Sequence, residues 1–297
     1  MVKSATILLP IYNRIKLLKH QLLSLCRQDI VGDPLYCFDV CILNEGSRYG
    51  LNELKDLFQG RLSITIIDTF QSKPHIDHWR CPSKALNIGA KQSKSGALIL
   101  GCPEMFLIEK NILKLMIDSV YENKYNIPIT KGVDDKSHIL SKLENIVSPF
   151  IVIDNSKQIR ADKNANIAHI LTRMDAYMRQ EIIQDCRLCL PLKTEYPFYM
   201  GVNRDLYNHI GGYDEDFVVG ISYDDNDFVE RLKLFGCHYV KFSETVVHLF
   251  HERPHIVFGD RQRHNIKLYN DRKGTIYRNG AGPLTASPKK SRRSRRK

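Results

Sequence analysis

The sequence predicts an α/β protein with a mostly parallel central sheet flanked by helices. Two observations carry this. Short apolar runs alternate with amphipathic segments through the first hundred residues, at the spacing of strand–helix–strand units. The apolar runs are also continuous rather than alternating, as strands buried on both faces must be.

The elements follow in order. ATILLP (5–10) reads as a buried strand ending in proline, and RIKLLKHQLLSLCRQ (14–28) has helical apolar spacing. FDVCILN (38–44) is a second strand, and LNELKDLFQG (51–60) a short helix closed by Gly60. LSITIIDT (62–69) is a third strand, SKALNIGAKQSKSG (83–96) a helix ended by Gly96, and ALILG (97–101) a fourth strand. Ligands of such sheets sit at the carboxyl ends of the strands. Tyr12 and Asn13, Asn44 to Ser47, Asp68, and Cys102 to Glu104 should therefore share one cleft.

The second half is less regular. Residues 121–148 read as polar and irregular, 150–154 as a strand, and the region near 166–183 as a helix. FYMGVN (198–203), HYVKF (238–242) and TVVHLFH (245–251) read as strands. Past about 256 the apolar periodicity fades, and little fixed structure is expected from Gly274 onward.

Composition narrows the class. The chain has 297 residues, 43% of them hydrophobic and 26% charged, the balance of an ordinary soluble globular protein. No run of about 18 apolar residues offers a membrane span. The N-terminus lacks the features of a secretory signal, so a cytosolic address is the default expectation. The eight cysteines are dispersed, which fits reduced thiols. Cys186 and Cys189 form one CxxC without a second ligand pair, and read as ordinary thiols. The formal net charge is +11, but the last nine residues, KKSRRSRRK, carry seven positive charges and no acid. That tail suits disorder and an anionic partner (nucleic acid, an acidic polymer or an anionic membrane surface) or a nuclear address.

GISYDDNDFVERL (220–232) crowds Asp224, Asp225 and Asp227 at the mouth of a helix. Acids there complement the helix dipole and cap free N–H groups, which alone explains them.

Six stretches in order give the chain a wider resemblance: TILLPIYNR, ILNEGS, PSKALNIGAKQSKSGALILGCPEMF, FYMGVNRDLYNHIGGYDEDF, SYDDNDFVERL and VVHLFHERP. Together they resemble a family 2-type glycosyltransferase of the GT-A (Rossmann-like) nucleotide-sugar transferase fold, with a galactosyltransferase-like C-terminal portion. The resemblance implies a transferase domain over 1–258, with a nucleotide-sugar-binding half (1–110) and an acceptor and catalytic half (145–258). Residues 259–297 then form an extension ending in the basic tail 289–297.

The resemblance implies a UDP-sugar donor and Mn²⁺ or Mg²⁺ on its diphosphate. Cys102-Pro103-Glu104 stands where the family has Asp-x-Asp, which leaves Glu104 as a metal ligand, with His248 as its partner. Without the resemblance, Glu104 is a solvated loop acid and His248 a core histidine. Pro10, Tyr12 and Asn13 would wall the nucleotide, Glu45 would accept from the base, and Asp68 would reach base or ribose. Asn87 and Gly89 would line the pyrophosphate, although helix packing explains them equally. Gly212 and Asp214 would lie near the sugar. By the same alignment Asp225 is the general base of an inverting reaction, with Asp224 beside it. Asp227 supports the helix mouth.

The acceptor is a glycan or another polymer by family likeness. The tail raises a second option, a soluble enzyme acting on hydroxymethylated bases of DNA, with His75, His78 and Trp79 near the site. A third is an inactive transferase fold that binds nucleic acid or glycan.

Overall fold

The computed structural model describes residues 2–47, 50–69, 81–120, 124–132, 138–153, 159–161, 166–187, 190–191, 197–251, 259–278 and 282–284. His75, His78, Trp79, Cys189 and the basic tail lie outside the described residues.

The first half alternates as expected: β1 (Lys3–Ile11), α1 (Ile15–Cys26), β2 (Tyr36–Asn44), α2 (Leu51–Phe58), β3 (Ser63–Asp68), α3 (Ser83–Gln92) and β4 (Ala97–Gly101). Then come β5 (Met105–Leu107), α4 (Ile112–Ser119), β6 (Lys124–Gly132), α5 (Ile139–Val147), β7 (Ile151–Ile153) and β8 (Ile159–Ala161). They lead into α6 (Ile167–Gln180), α7 (Ile182–Arg187), β9 (Leu190–Pro191), β10 (Tyr199–Asn203) and α8 (Arg204–His209). A 3-10 turn (Glu215–Val219), α9 (Asp224–Leu234), β11 (His238–His248), α10 (Gly259–Arg272), β12 (Ile276–Arg278) and β13 (Gly282–Leu284) finish the chain.

The main sheet has the order β3-β2-β1-β4-β10-β6-β11-β5, with β9 on β6. Strands β3, β2, β1 and β4 are mutually parallel. Beyond β4 the sheet is mixed: β10 is antiparallel to both neighbours, while β11 is parallel to β6. The sheet separates two apolar layers. Ile7 and Leu9 face α1, α4, α5 and α6. Leu8 and Leu100 face α3, α8 and α9. Alternate β1 residues thus bury opposite ways, which is why that strand reads as unbroken apolar sequence.

Three expectations change. Residues 121–148 are not irregular, since they contain β6 and α5. Strand β6 hides its identity behind two misleading residues. Asn126 is fully buried, but its amide donates to Met116 O and Ser119 Oγ and accepts from Gly201 N, so it is satisfied. Pro128 cannot donate to a ladder. It lies between Ile127 and Ile129, opposite the irregularity of β11 between Lys241 and Thr245. That same bulge joins the two strands expected at 238–242 and 245–251 into one. Past 256 the chain does not lose structure at once, because α10 packs on the 3-10 turn and on α9, and beyond Gly274 β12 pairs with β13. Among the described residues, no helix is long and apolar enough to cross a membrane.

Candidate active site

The topology brings distant segments to one edge. The carboxyl ends of β1 to β4 lie together because those strands are parallel. Two successive antiparallel pairings, β4 to β10 and β10 to β6, restore the direction of β4 in β6, and β11 follows it. His248, at the end of β11, therefore reaches the edge where β4 ends. A hydrogen bond of 2.8 Å from Leu249 N to Glu104 O ties the two loops.

At the β1–β3 end, Asn44 builds the turn that carries Glu45. Its Oδ1 accepts from Gly46 N at 3.2 Å and Ser47 N at 2.7 Å, and its Nδ2 donates to Asp68 Oδ1 at 2.7 Å. Glu45 N donates to Ile11 O at 2.9 Å, and Asn13 N donates to Ser47 Oγ at 2.8 Å. Pro10 and Tyr12 are half-buried beside this turn, and Asn13 is exposed with φ 55°. The Thr69 hydroxyl donates to Glu45 Oε1. The sequence therefore places Pro10, Tyr12, Asn13, Glu45 and Asp68 at one end of the edge.

The second cluster follows β4. Cys102, Glu104 and His248 each offer one ligand atom, and these atoms lie within 4.8 Å of one another. Glu104 is buried. Its Oε1 accepts from Arg14 Nη1 and stands 3.5 Å from His251 Nε2. Its Oε2 is buried with no hydrogen-bond partner. A buried carboxylate with one unpaired oxygen, in a cluster with an imidazole and a thiol, is what a divalent cation would satisfy. The carboxylate suits Mn²⁺ and Mg²⁺ alike, and the imidazole and thiol add softer donors. Burial and the neighbouring Glu104 charge push the Cys102 thiol well up. Sequence reading put Cys102 in the cleft but gave it no role, and did not mark Arg14 or His251 as partners of Glu104. The first signal was there, since Cys102 holds the position of the family's first acid.

The third cluster is the mouth of α9. Residue Tyr223 precedes it at φ 70°, with no side-chain cap. Asp224 is buried and its Oδ2 accepts at 3.4 Å from both Cys81 Sγ and Ser83 Oγ, at the start of α3. Asp225 is only half-buried, and its Oδ1 accepts from Tyr213 OH at 3.1 Å. Tyr213 is fixed by stacking on Phe228, 4.4 Å between ring centroids. Burial, then the adjacent Asp224 charge, raises the Asp225 carboxyl well above the usual range, and burial raises Asp224 too. Asp227 does not join them. It is buried in an ion pair with Arg231 at 2.8 Å, and Arg231 donates to the carbonyls of Ile210 and Gly212.

The turn between α8 and α9 is held from both sides. Asn87 donates to Tyr213 O and Glu215 Oε1 and accepts from Tyr207 OH and Tyr213 N. Its amide is engaged entirely inside the protein. Gly212, at φ 65°, leaves no room for a Cβ beside Asn87 Oδ1. Gly89 packs on Leu8 and Leu43, where an added Cβ would stand 2.9 Å from each. Asp214 caps the 3-10 turn by accepting from Asp216 N at 3.1 Å, and pairs with Arg272 of α10. Helix α10 also sends Asn265 inward, where Nδ2 donates to Phe217 O at 3.1 Å and Ser222 O at 2.7 Å. No sequence signal marked Asn265 or Arg272.

No protein-family model matches the chain. It is 23% identical over 266 residues to chondroitin synthase of Escherichia coli, covering 85% of this chain and 35% of that protein. The chain thus spans about a third of that relative. Among solved structures, S. aureus TarS with UDP-GlcNAc aligns with TM-score 0.52 and 15% identity over 90% of this chain and 67% of that one. The mannosyltransferase PcManGT of Pyrobaculum calidifontis, with GDP-Man and Mn²⁺, gives TM-score 0.52 and 12% identity over 90% and 62%. GalNAc-T7, with UDP, GalNAc and Mn²⁺, gives TM-score 0.53 and 12% identity over 91% and 48%. The chain has the GT-A fold, and what it resembles in sequence and in architecture is a GT-A-type glycosyltransferase.

Proposed function

We propose that this chain is a glycosyltransferase that moves a sugar from a UDP-sugar to an acceptor hydroxyl with inversion, assisted by a divalent cation. The observation that carries this reading is Asp225. It is a half-buried carboxylate at a helix mouth, hydrogen-bonded by Tyr213, with its proton affinity raised. The helix it opens, α9, leads back into β11, the strand that ends at His248.

The chemistry assigns each group a task. The donor's base and ribose lie against the turn of Glu45 and Asp68, with Pro10, Tyr12 and Asn13 beside them. Glu104 and His248 would hold the cation, which when bound offsets charge on the departing nucleoside diphosphate. Asp225 takes the acceptor hydroxyl proton as the oxygen attacks the anomeric carbon from the face opposite the leaving group. A raised proton affinity suits a base working near neutrality, and the Asp224 charge beside it maintains that affinity. Asn87, Gly212 and Asp214 hold the turn before α9 that carries the base, and Gly89 lets α3 pack closely on β1 and β2. The likeness to chondroitin synthase favours a glycan or similar polymer as acceptor.

The stereochemical test is direct. The anomeric configuration of the first-formed product, read by proton NMR, is expected to be opposite to that of the donor. Retention would overturn the role of Asp225 as base for a single displacement.

A further inference from the structure

The cation cluster contains one residue that ordinary oxygen-and-nitrogen chemistry does not need. Cys102 lies at the end of β4, directly after Gly101, and is half-buried with its thiol in the cluster of Glu104 and His248. We propose that Cys102 is a ligand in its own right, so that the site takes a thiophilic divalent metal such as Zn²⁺ or Co²⁺ in preference to Mg²⁺. This rests on the reading that Glu104 and His248 hold a cation.

Geometry carries the inference. Around one tetrahedral Zn²⁺, sulfur, nitrogen and oxygen ligands stand about 3.4–3.6 Å apart, given the usual bond lengths. The three donor atoms already lie within 4.8 Å, so about 1 Å of contraction closes the set. The second observation is the Glu104 carboxylate, whose Oε2 is buried with no hydrogen-bond partner while Oε1 is held by Arg14. Arg14 then acts on the ligand from outside, orienting the carboxylate so that one oxygen stays free. His251 Nε2 stands 3.5 Å from that same Oε1, and its ring lies 5.3 Å from the ring of His248. A thiolate, a carboxylate and an imidazole leave one position of a four-coordinate metal open, the arrangement of catalytic rather than structural zinc sites. The binding step is balanced: the S–H bond breaks, a sulfur–metal bond forms, and the proton passes to solvent.

The experiment uses the full chain stripped of metal and titrated with Co²⁺, followed by absorption and by equilibrium dialysis. Thiolate ligation gives a sulfur-to-cobalt charge-transfer band in the near ultraviolet, which neither carboxylate nor imidazole produces. The band is expected in the wild type, lost in Cys102→Ser, and kept in Cys189→Ser, which controls for the separate CxxC pair. In Cys102→Ser the preference for Zn²⁺ over Mn²⁺ should fall by at least the about 10–100-fold that loss of an outer partner costs. A band that survives in Cys102→Ser, or Co²⁺ bound with no band at all, overturns the thiolate and leaves the Glu104–His248 cation reading standing. Failure of Co²⁺, Zn²⁺ and Mn²⁺ alike to bind overturns both. A melting curve for Cys102→Ser that matches the wild type keeps these outcomes separate from misfolding.

Discussion

Replacing Asn265 by alanine tests whether the C-terminal helix belongs to the catalytic machinery. Asn265 is fully buried, and its Nδ2 bonds to the carbonyls of Phe217 and Ser222, in the loop that delivers Asp224 and Asp225. That loop carries Ser222 at φ 64° and Tyr223 at φ 70°. Left-handed backbone at non-glycine residues costs on the order of 1–3 kcal/mol each. Two hydrogen bonds hold it there, worth about 0.5–1.5 kcal/mol apiece. Asn265→Ala therefore removes about 1–3 kcal/mol of restraint. Part of that is offset, because the substitution also removes Asn265 Oδ1, itself buried without a partner. If about 2 kcal/mol of the lost restraint appears in the barrier, kcat falls about 30-fold. The donor KM should hold, since Glu45 and Asp68 stand at the ends of β2 and β3, away from α10. Asn265→Asp should be worse than alanine despite its matching shape, since a carboxylate would face two carbonyl oxygens with nothing to donate. The assay is steady-state turnover alongside thermal melting. Wild-type kcat in both variants would refute the reasoning, and so would a KM effect without a kcat effect.

The other expectations concern charge. Asp225→Asn should lower turnover by about 10²–10⁴-fold, the usual range for a general base. It should leave melting unchanged or slightly raised, because it removes a like charge beside Asp224. The acid limb of kcat/KM should lie above the ordinary carboxylate range, since the base form must be ionised and the folded protein raises its proton affinity. For the same reason the Asp224–Asp225 pair stabilises the fold in its protonated state and loses that contribution as pH rises through the folded values. A pH–melting series in Asp225→Asn should lack this fall. Glu144 titrates the opposite way. Burial opposes its charge, but His20 and then Lys19 prevail and hold it at about 2. Its stabilisation is present above its ordinary value of 4.5 and lost as pH falls from there toward about 2. Glu144→Gln should flatten that acid limb. Its cost should fall short of the about 3–5 kcal/mol of a fully buried pair, because 33% of the Glu144 side chain is exposed.

The parallel half of the fold was legible because its signal is local. Ile7, Leu8 and Leu9 are buried whichever face they take, so β1 needs no partner to be recognised. Strand β6 was not legible, because what makes it a strand lies elsewhere: a side-chain cluster that satisfies Asn126 and a bulge that accommodates Pro128. The site divides in the same way. Motif order pointed to Asp225, Glu104 and His248. It could not show that Arg14 occupies one oxygen of Glu104, since that pair spans 90 residues. Asn87 looked like a ligand contact in sequence, and its partners at Tyr207, Tyr213 and Glu215 become visible only when α3 meets the turn before α9. Helix α10 was missed because it is mostly polar, and its hold on the site runs through Asn265 and Arg272 rather than through an apolar stripe.

Release of free nucleoside diphosphate from a panel of nucleotide-sugars, with and without chelator, tests the central claim most directly. The account predicts cation-dependent release from a UDP-sugar, abolished in Glu104→Ala and strongly reduced in Asp225→Asn. No release from any donor, together with no donor binding by calorimetry, would contradict it and leave a GT-A fold without transferase chemistry.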